Sequence, residues 1–314
     1  MYRLFTFFLL TLTLSLALTA QRRTLSPPFD NSQFSTVQGL KLHYRQWQPE
    51  GAVRGKVLLV HGFCGSTFSW RKTIPSLLAQ GYAVTAVDLP PFGYSDRSPE
   101  INHSTSFQAR LLWDFIRQID PSGEKWVLIG HSMGAAVVGA MASYKPAFTA
   151  SVVFTDGAMY SREAESTMFQ RWVTGSGLVQ GGAELAGDVY FFHYKRMSKL
   201  LAKAYSAEPD SEAVLGYLAP LKLAKTASGI FDMTAYSKPV FSYSESRVEV
   251  PTLVIWGEKD AVVPLEAGQK LHNKLPRSQM YVISGAGHCP METHAEAYNR
   301  LIQAFLQETR SEAD

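Results

Sequence analysis

The pentapeptide Gly130-His131-Ser132-Met133-Gly134 constrains this chain more than any other feature. It follows a compact apolar run, Lys125–Ile129, and opens a helix-compatible run, Met133–Tyr144. Small residues on both sides of a serine, between a strand and a helix, are what a very tight strand-to-helix turn requires. Such a turn holds the serine in a strained conformation with its hydroxyl exposed. It also aims the first N–H groups and the positive end of the following helix at the same point. Glycine and serine are common, so the pentapeptide gains its meaning from its flanks. Ser132 is the candidate nucleophile, and His131 beside it reads as a packing residue.

The rest of the pattern predicts a sheet that can carry such a turn. Seven short runs read as strands: Leu40–Trp47, Lys56–Val60, Tyr82–Val87, Lys125–Ile129, Ser151–Phe154, Thr252–Trp256 and Met280–Ile283. Continuous apolar runs of this kind suit parallel strands buried on both faces. Helical patterns lie between them at Trp70–Leu78, Phe107–Ile119, Met133–Tyr144, Leu265–Leu275 and Ala295–Leu306. The alternation predicts an α/β fold, a mostly parallel sheet with helices on both faces. Residues 157–246 break it. They contain no convincing strand and are rich in aromatics such as Tyr160, Phe169, Trp172, Tyr190, Phe191, Phe192, Tyr205 and Tyr217. They read as a mostly helical insertion between two halves of a core, 21–156 and 247–314. The polar tail after Leu306 reads as frayed.

A serine hydroxyl needs a base to become a useful nucleophile. His288 lies in Gly285-Ala286-Gly287-His288, directly after the last predicted strand, where the glycines let a loop carry the imidazole over the sheet edge. Asp260, just past the Thr252–Trp256 strand, is the candidate that orients it, since the order Ser, Asp, His suits this architecture. Asp156 also ends a strand and is the alternative third member; Glu258 reads as solvent-facing. Acyl transfer also needs pre-aimed N–H donors for an oxyanion. Met133 supplies one from its backbone, and Phe63, in the Val60-His61-Gly62-Phe63 strand end, supplies the second. This machinery needs no metal and no organic cofactor, and none is expected.

Composition narrows the partners. The net charge is +3 and the basic residues form no stripe, which sets nucleic acid aside; the partner expected from the Ser132 machinery is a small-molecule, ester-like substrate. The two cysteines, Cys64 and Cys289, rule out a disulfide-stapled mini-fold and a cysteine zinc site. They read as free thiols, with a disulfide between them as the alternative in an oxidising compartment. Residues 1–20 carry Arg3, an apolar Leu4–Leu18 stretch and the small Ala20, the pattern of a secretory signal peptide. The rival is a retained membrane anchor, for which the stretch falls short of the ~20 residues a spanning helix needs. Export or secretion is therefore expected, with membrane contact only if that segment is retained. Nothing in the sequence sets an oligomeric state.

Taken together, Val60-His61-Gly62-Phe63, Phe68-Ser69-Trp70-Arg71, Asp88-Leu89-Pro90-Pro91-Phe92-Gly93-Tyr94-Ser95-Asp96, Gly130–Gly134, Trp256–Asp260 and Gly285–Pro290 resemble the α/β-hydrolase superfamily, in its branch of esterases, epoxide hydrolases and dehalogenases. The resemblance runs from about Leu40 to Leu306. It implies that the 157–246 insertion is a helical cap over the site. Dehalogenases and epoxide hydrolases of this branch carry aspartate at the nucleophile position, so the serine here points instead to hydrolysis of a carboxylic ester. An amide, a lactone, a carbon–carbon bond or acyl transfer is the alternative, and a non-catalytic ligand-binding protein the third. Pro91, Thr293 and His294 depart from the family pattern near the site without touching Ser132, Asp260 or His288.

Overall fold

Strands that bury both faces need neighbours on both sides, and the structure supplies them. The computed structural model describes residues 28–98, 101–159, 177–187, 192–233 and 237–311. Residues 1–20, read above as a signal or anchor, lie outside these, as do Tyr160, Phe169, Trp172, Tyr190 and Phe191. Residues 28–32 belong to one unit, in which the Phe29 N–H donates to Ser32 Oγ, and the described residues from Gln33 onward belong to the second. In chain order come β1 (Ser32–Val37), β2 (Leu40–Trp47), β3 (Gly55–Val60), α1 (Ile74–Ala79), β4 (Tyr82–Val87), α2 (Thr105–Ile119), β5 (Trp126–His131), α3 (Met133–Tyr144) and β6 (Thr149–Thr155). Among the described residues four α-helices follow: α4 (Gly177–Ala186), α5 (Tyr194–Tyr205), α6 (Ser211–Leu221) and α7 (Thr226–Asp232). The chain then returns through β7 (Thr252–Gly257), α8 (Leu265–His272), β8 (Ser278–Ile283), α9 (Pro290–Thr293) and α10 (Ala295–Ser311).

The eight strands order as β1-β2-β4-β3-β5-β6-β7-β8. β2 pairs antiparallel with β4, and every pairing from β4 through β8 is parallel. This is the α/β-hydrolase sheet. Its centre is dry on both faces: Val57–Val60 of β3 and Leu253–Trp256 of β7 are fully buried. α3 lies in the core and is apolar all round, as a helix covered on every side must be. In such a sheet ligands gather at the carboxyl ends of the strands.

The differences from the sequence reading have local causes. β1 (SQFSTV) was not expected; only Ser35 and Val37 are buried, so its composition carries little hydrophobic signal. The helix expected over Trp70–Leu78 is split. Thr67–Trp70 forms a 3₁₀ turn capped by Ser66 Oγ, and α1 starts afresh at Ile74 with a proline in its first turn, where no N–H is needed. The helix expected over Leu265–Leu275 ends at His272. The tail is not frayed directly after Leu306: α10 continues to Ser311, whose Oγ donates to the Gln307 and Glu308 carbonyls. Ser104 caps α2, accepting the Phe107 N–H.

One buried carboxylate ties the β4 end to two neighbouring segments. Asp88 is fully buried. Its Oδ1 accepts the Thr67 N–H at 2.6 Å, and its Oδ2 accepts Tyr94 N–H at 2.8 Å and His43 Nδ1–H at 2.7 Å. Burial alone would raise the pKa of this acid; His43, His61 and the N–H donors outweigh it and hold the carboxyl below its ordinary value. Pro91, one of the family departures, follows Pro90 through a cis peptide, and its ring lies close to Gly229 of α7. Asp88→Ala removes the buried carboxylate that the His43 ring and the Thr67 and Tyr94 N–H groups share. It is expected to cost about 3–5 kcal/mol in urea unfolding; a loss under ~1 kcal/mol would deny Asp88 this role.

Candidate active site

The proposed nucleophile sits where the sheet leaves no room for anything but a sharp turn. Ser132 has φ +52°, in a region that side chains rarely occupy. A Cβ on Gly134 would run into the carbonyl oxygens of Val60 and His61, so the helix can start this close to β3 only with glycine there. A Cβ on Gly62 would lie 2.9 Å from the Ser132 Cβ and 2.8 Å from His131 Nδ1. The loop after β3 therefore passes directly beside the elbow, which brings the Phe63 and Met133 segments to one place. Both Phe63 and Ser132 line one cavity, and the Phe63 ring meets Phe92 edge to face at 5.1 Å.

The structure brings His288 and Asp260 together. His288 Nδ1 lies 2.8 Å from Asp260 Oδ2, and the His288 ring lines the same cavity as Ser132. Asp260 Oδ1 accepts the Val262 and Val263 N–H groups at 2.7 and 2.9 Å. Burial pushes the Asp260 pKa up, but the His288 contact and the two N–H donors push it down further, so the carboxyl stays ionised below its ordinary range. His288 is itself pinned at both backbone groups: its N–H donates to Ala204 O at 2.6 Å, and its carbonyl lies 2.8 Å from His131 Nε2. A carbonyl only accepts, so His131 donates. Burial and the neighbouring His288 lower the His131 pKa to about 3, which keeps its ring neutral. His131 thus does what a packing residue beside the elbow was expected to do.

His61 works the same way for the oxyanion loop. Its Nε2 accepts the Leu89 N–H at 2.9 Å, so its Nδ1 carries the proton and donates to Gly62 O at 2.7 Å. Glu258 is exposed, as expected, and accepts from Ser284 Oγ and the Gly285 N–H. Both cysteines are free thiols and form no disulfide. Burial raises both thiol pKa values, Cys64 to about 12, so neither supplies a thiolate near neutral pH.

One set of site residues carried no individual prediction. Glu292, 2% exposed, pairs with Arg71 and accepts the hydroxyls of Tyr205 (2.8 Å) and Tyr217. Since Tyr217 gives its proton to Glu292, Ser69 Oγ, 2.9 Å away, must donate to Tyr217. Arg71 and Ser69 belong to the Phe68–Arg71 motif, but Glu292, which pairs with Arg71, lies on α9, and Tyr205 and Tyr217 sit on α5 and α6. Only folding reveals the link. The cavity above, about 850 Å³, is walled by Phe192 and by α4–α7 side chains such as Val179, Met197, Leu201, Leu221 and Ile230. Among the described residues that line it there is no Asp, Glu, Lys or Arg.

With this geometry in hand, comparison with known proteins gives the class. The chain belongs to the α/β-hydrolase fold family, whose profile matches residues 56–295, and it is a hydrolase. It is 27% identical to an uncharacterized hydrolase, YugF, of Bacillus subtilis, over 87% of this chain and 96% of that one. It is 26% identical to a 2-hydroxy-6-oxononadienedioate/2-hydroxy-6-oxononatrienedioate hydrolase of Cupriavidus pinatubonensis (88% and 95% covered). A pimeloyl-[acyl-carrier protein] methyl ester esterase of Neisseria meningitidis is also 26% identical (80% and 93% covered). Among solved structures, a bacterial membrane phospholipase A shares the fold with TM-score 0.70 at 23% identity, covering 99% of both chains.

The Glu292 cluster generates a prediction. Tyr217→Phe deletes one hydrogen bond to a buried carboxylate and leaves Ser69 without its acceptor. Chemical denaturation is expected to show a loss of about 1.5–3 kcal/mol. An unchanged midpoint would remove Tyr217 from the cluster's energetics.

Proposed function

We propose that this protein is a serine esterase that cleaves carboxylic esters with a mainly apolar acyl group of small to medium size. The observation that carries the reading is Ser132, on its strained turn, sharing with the Asp260-bound His288 a cavity whose described lining carries no Asp, Glu, Lys or Arg. In this mechanism Ser132 Oγ attacks the ester carbonyl carbon as His288 Nε2 takes its proton. The backbone N–H groups of Phe63 and Met133 hold the resulting oxyanion. Collapse breaks the bond to the leaving oxygen, which recovers the proton from His288. Water then repeats the sequence on the acyl-enzyme and releases the acid. Asp260 orients the imidazole throughout.

Residues 157–246 act as the cap in this reading, and residues 1–20 direct the chain to export or hold it at a membrane. The cavity volume lies in the upper part of the usual small-molecule range, enough for an acyl chain longer than acetyl. The similarity to a hydrolase of a dienedioate supports a second reading, carbon–carbon cleavage. A dianionic substrate, however, calls for a cationic partner, and the described lining offers none.

The test is a series of p-nitrophenyl esters of rising acyl length, run beside Ser132→Ala and Asp260→Asn. Wild type is expected to turn over the shorter and middle members. Ser132→Ala should lower kcat/KM about 10³-fold or more, and Asp260→Asn about 10⁴-fold. Folded wild type no faster than Ser132→Ala on every ester would remove the esterase reading. The carbon–carbon and amide substrates would then be next.

A further inference from the structure

Asp156 is a buried acid at the carboxyl edge of the sheet that the mechanism above leaves unused. It directly follows β6 with φ +45°, another strained position, and its N–H donates to Ile255 O at 3.0 Å. Its side chain is fully buried. Oδ1 accepts the Gly257 N–H at 2.7 Å, while Oδ2, also buried, meets no donor. A carboxylate oxygen of Asp156, one of Asp260 and a ring nitrogen of His288 all lie within 4.8 Å of one another.

We propose that Asp156 holds a proton at neutral pH and donates it from Oδ2 to the Asp260 carboxylate, which makes Asp156 a positioning residue for the Asp260–His288 pair. The positioning role rests on the triad reading; the proton itself does not. Two adjacent buried carboxyls cannot both ionise cheaply, so one keeps a proton. The donors decide which. Asp260 receives two backbone N–H groups and the His288 ring, whereas Asp156 receives one N–H. The proton therefore stays on Asp156, and it turns the orphaned Oδ2 into a donor with an acceptor beside it. Burial, then the charge of Asp260, raises the Asp156 pKa well above its usual value, in the same direction. The other titratable groups that face it are the Cys289 thiol and, from α10, Tyr298, whose hydroxyl bonds Thr155 Oγ1 at 2.7 Å. Asp260 thus gains a fourth hydrogen bond without gaining a second negative charge next to His288.

Asp156→Asn is the decisive variant. Its amide keeps an acceptor for Gly257 and a donor for Asp260, and it is neutral at every pH. kcat/KM is expected to stay within ~3-fold of wild type. Asp156→Ala, without the donor, should lose ~10-fold or more. The wild-type minus Asp156→Asn infrared difference spectrum near neutral pH should contain the carbonyl stretch of a protonated carboxyl. A raised folded pKa means stability that is present at low pH and lost as pH rises above the unfolded value of about 4. The urea midpoint of Asp156→Asn should therefore gain on wild type from roughly pH 4 upward. The carbonyl band and the midpoint trend are read without any substrate, so failure of the esterase reading leaves this test intact. Absence of the band overturns the proposal. So does an activity loss in Asp156→Asn as deep as that of Asp260→Asn, which would make Asp156 the ionised triad acid. Zinc bound by wild type but not by Asp156→Asn, with no band, would assign the three side chains to a metal and overturn it equally.

Discussion

The close approach of β3 to the start of α3 is the constraint on which the rest of the site depends. With no side chain at Gly134, the helix begins against the Val60 and His61 carbonyls, and with none at Gly62 the next loop passes beside Ser132. Parallel pairing of β3 with β5 in register (Val60 opposite Gly130) puts these two ends level. The proposed nucleophile and both proposed oxyanion donors therefore come from one packing event. The strain at Ser132 is borne by a sheet whose central strands are fully buried, so the turn has no cheaper conformation to relax into.

Around that contact, buried polar groups act as ties between segments that are far apart in sequence. His131 and Ala204 grip the His288 backbone from the elbow and from α5. Glu292 gathers Arg71, Tyr205 and Tyr217 from three segments. His61 joins the loop after β3 to the loop after β4. Each of these contacts gives a buried polar group a partner from another part of the chain. The consequence is a division of labour: polar atoms lock loops and helices together underneath, while the described cavity lining between them carries no Asp, Glu, Lys or Arg and is mainly apolar.

Where sequence reading succeeded, it did so through local patterning. β2 and β4 lie where their apolar runs placed them, as does α3, because alternation and helical period are properties of neighbours in the chain. β1 escaped it, since an edge strand with two buried residues has almost no pattern to read. The break between Thr67–Trp70 and α1 depended on a serine cap and a proline competing with a continuous apolar run. The extra turns of α10 were hidden because polar residues say nothing about whether a helix that has already formed continues.

The motifs put the candidates Ser132, Asp260 and His288 in that chain order, each after a strand end, and the fold class followed from the same strand–helix alternation. Those are facts about sequence neighbours. The choice between Asp260 and Asp156 was of another kind, because both residues follow strands and carry the same group. Only the tertiary structure set His288 Nδ1 against Asp260 and left Asp156 with a single donor and a buried, unmatched oxygen. The proton affinity of a carboxyl depends on which charges and N–H groups surround it in space, and those come from β6, β7 and β8 at once.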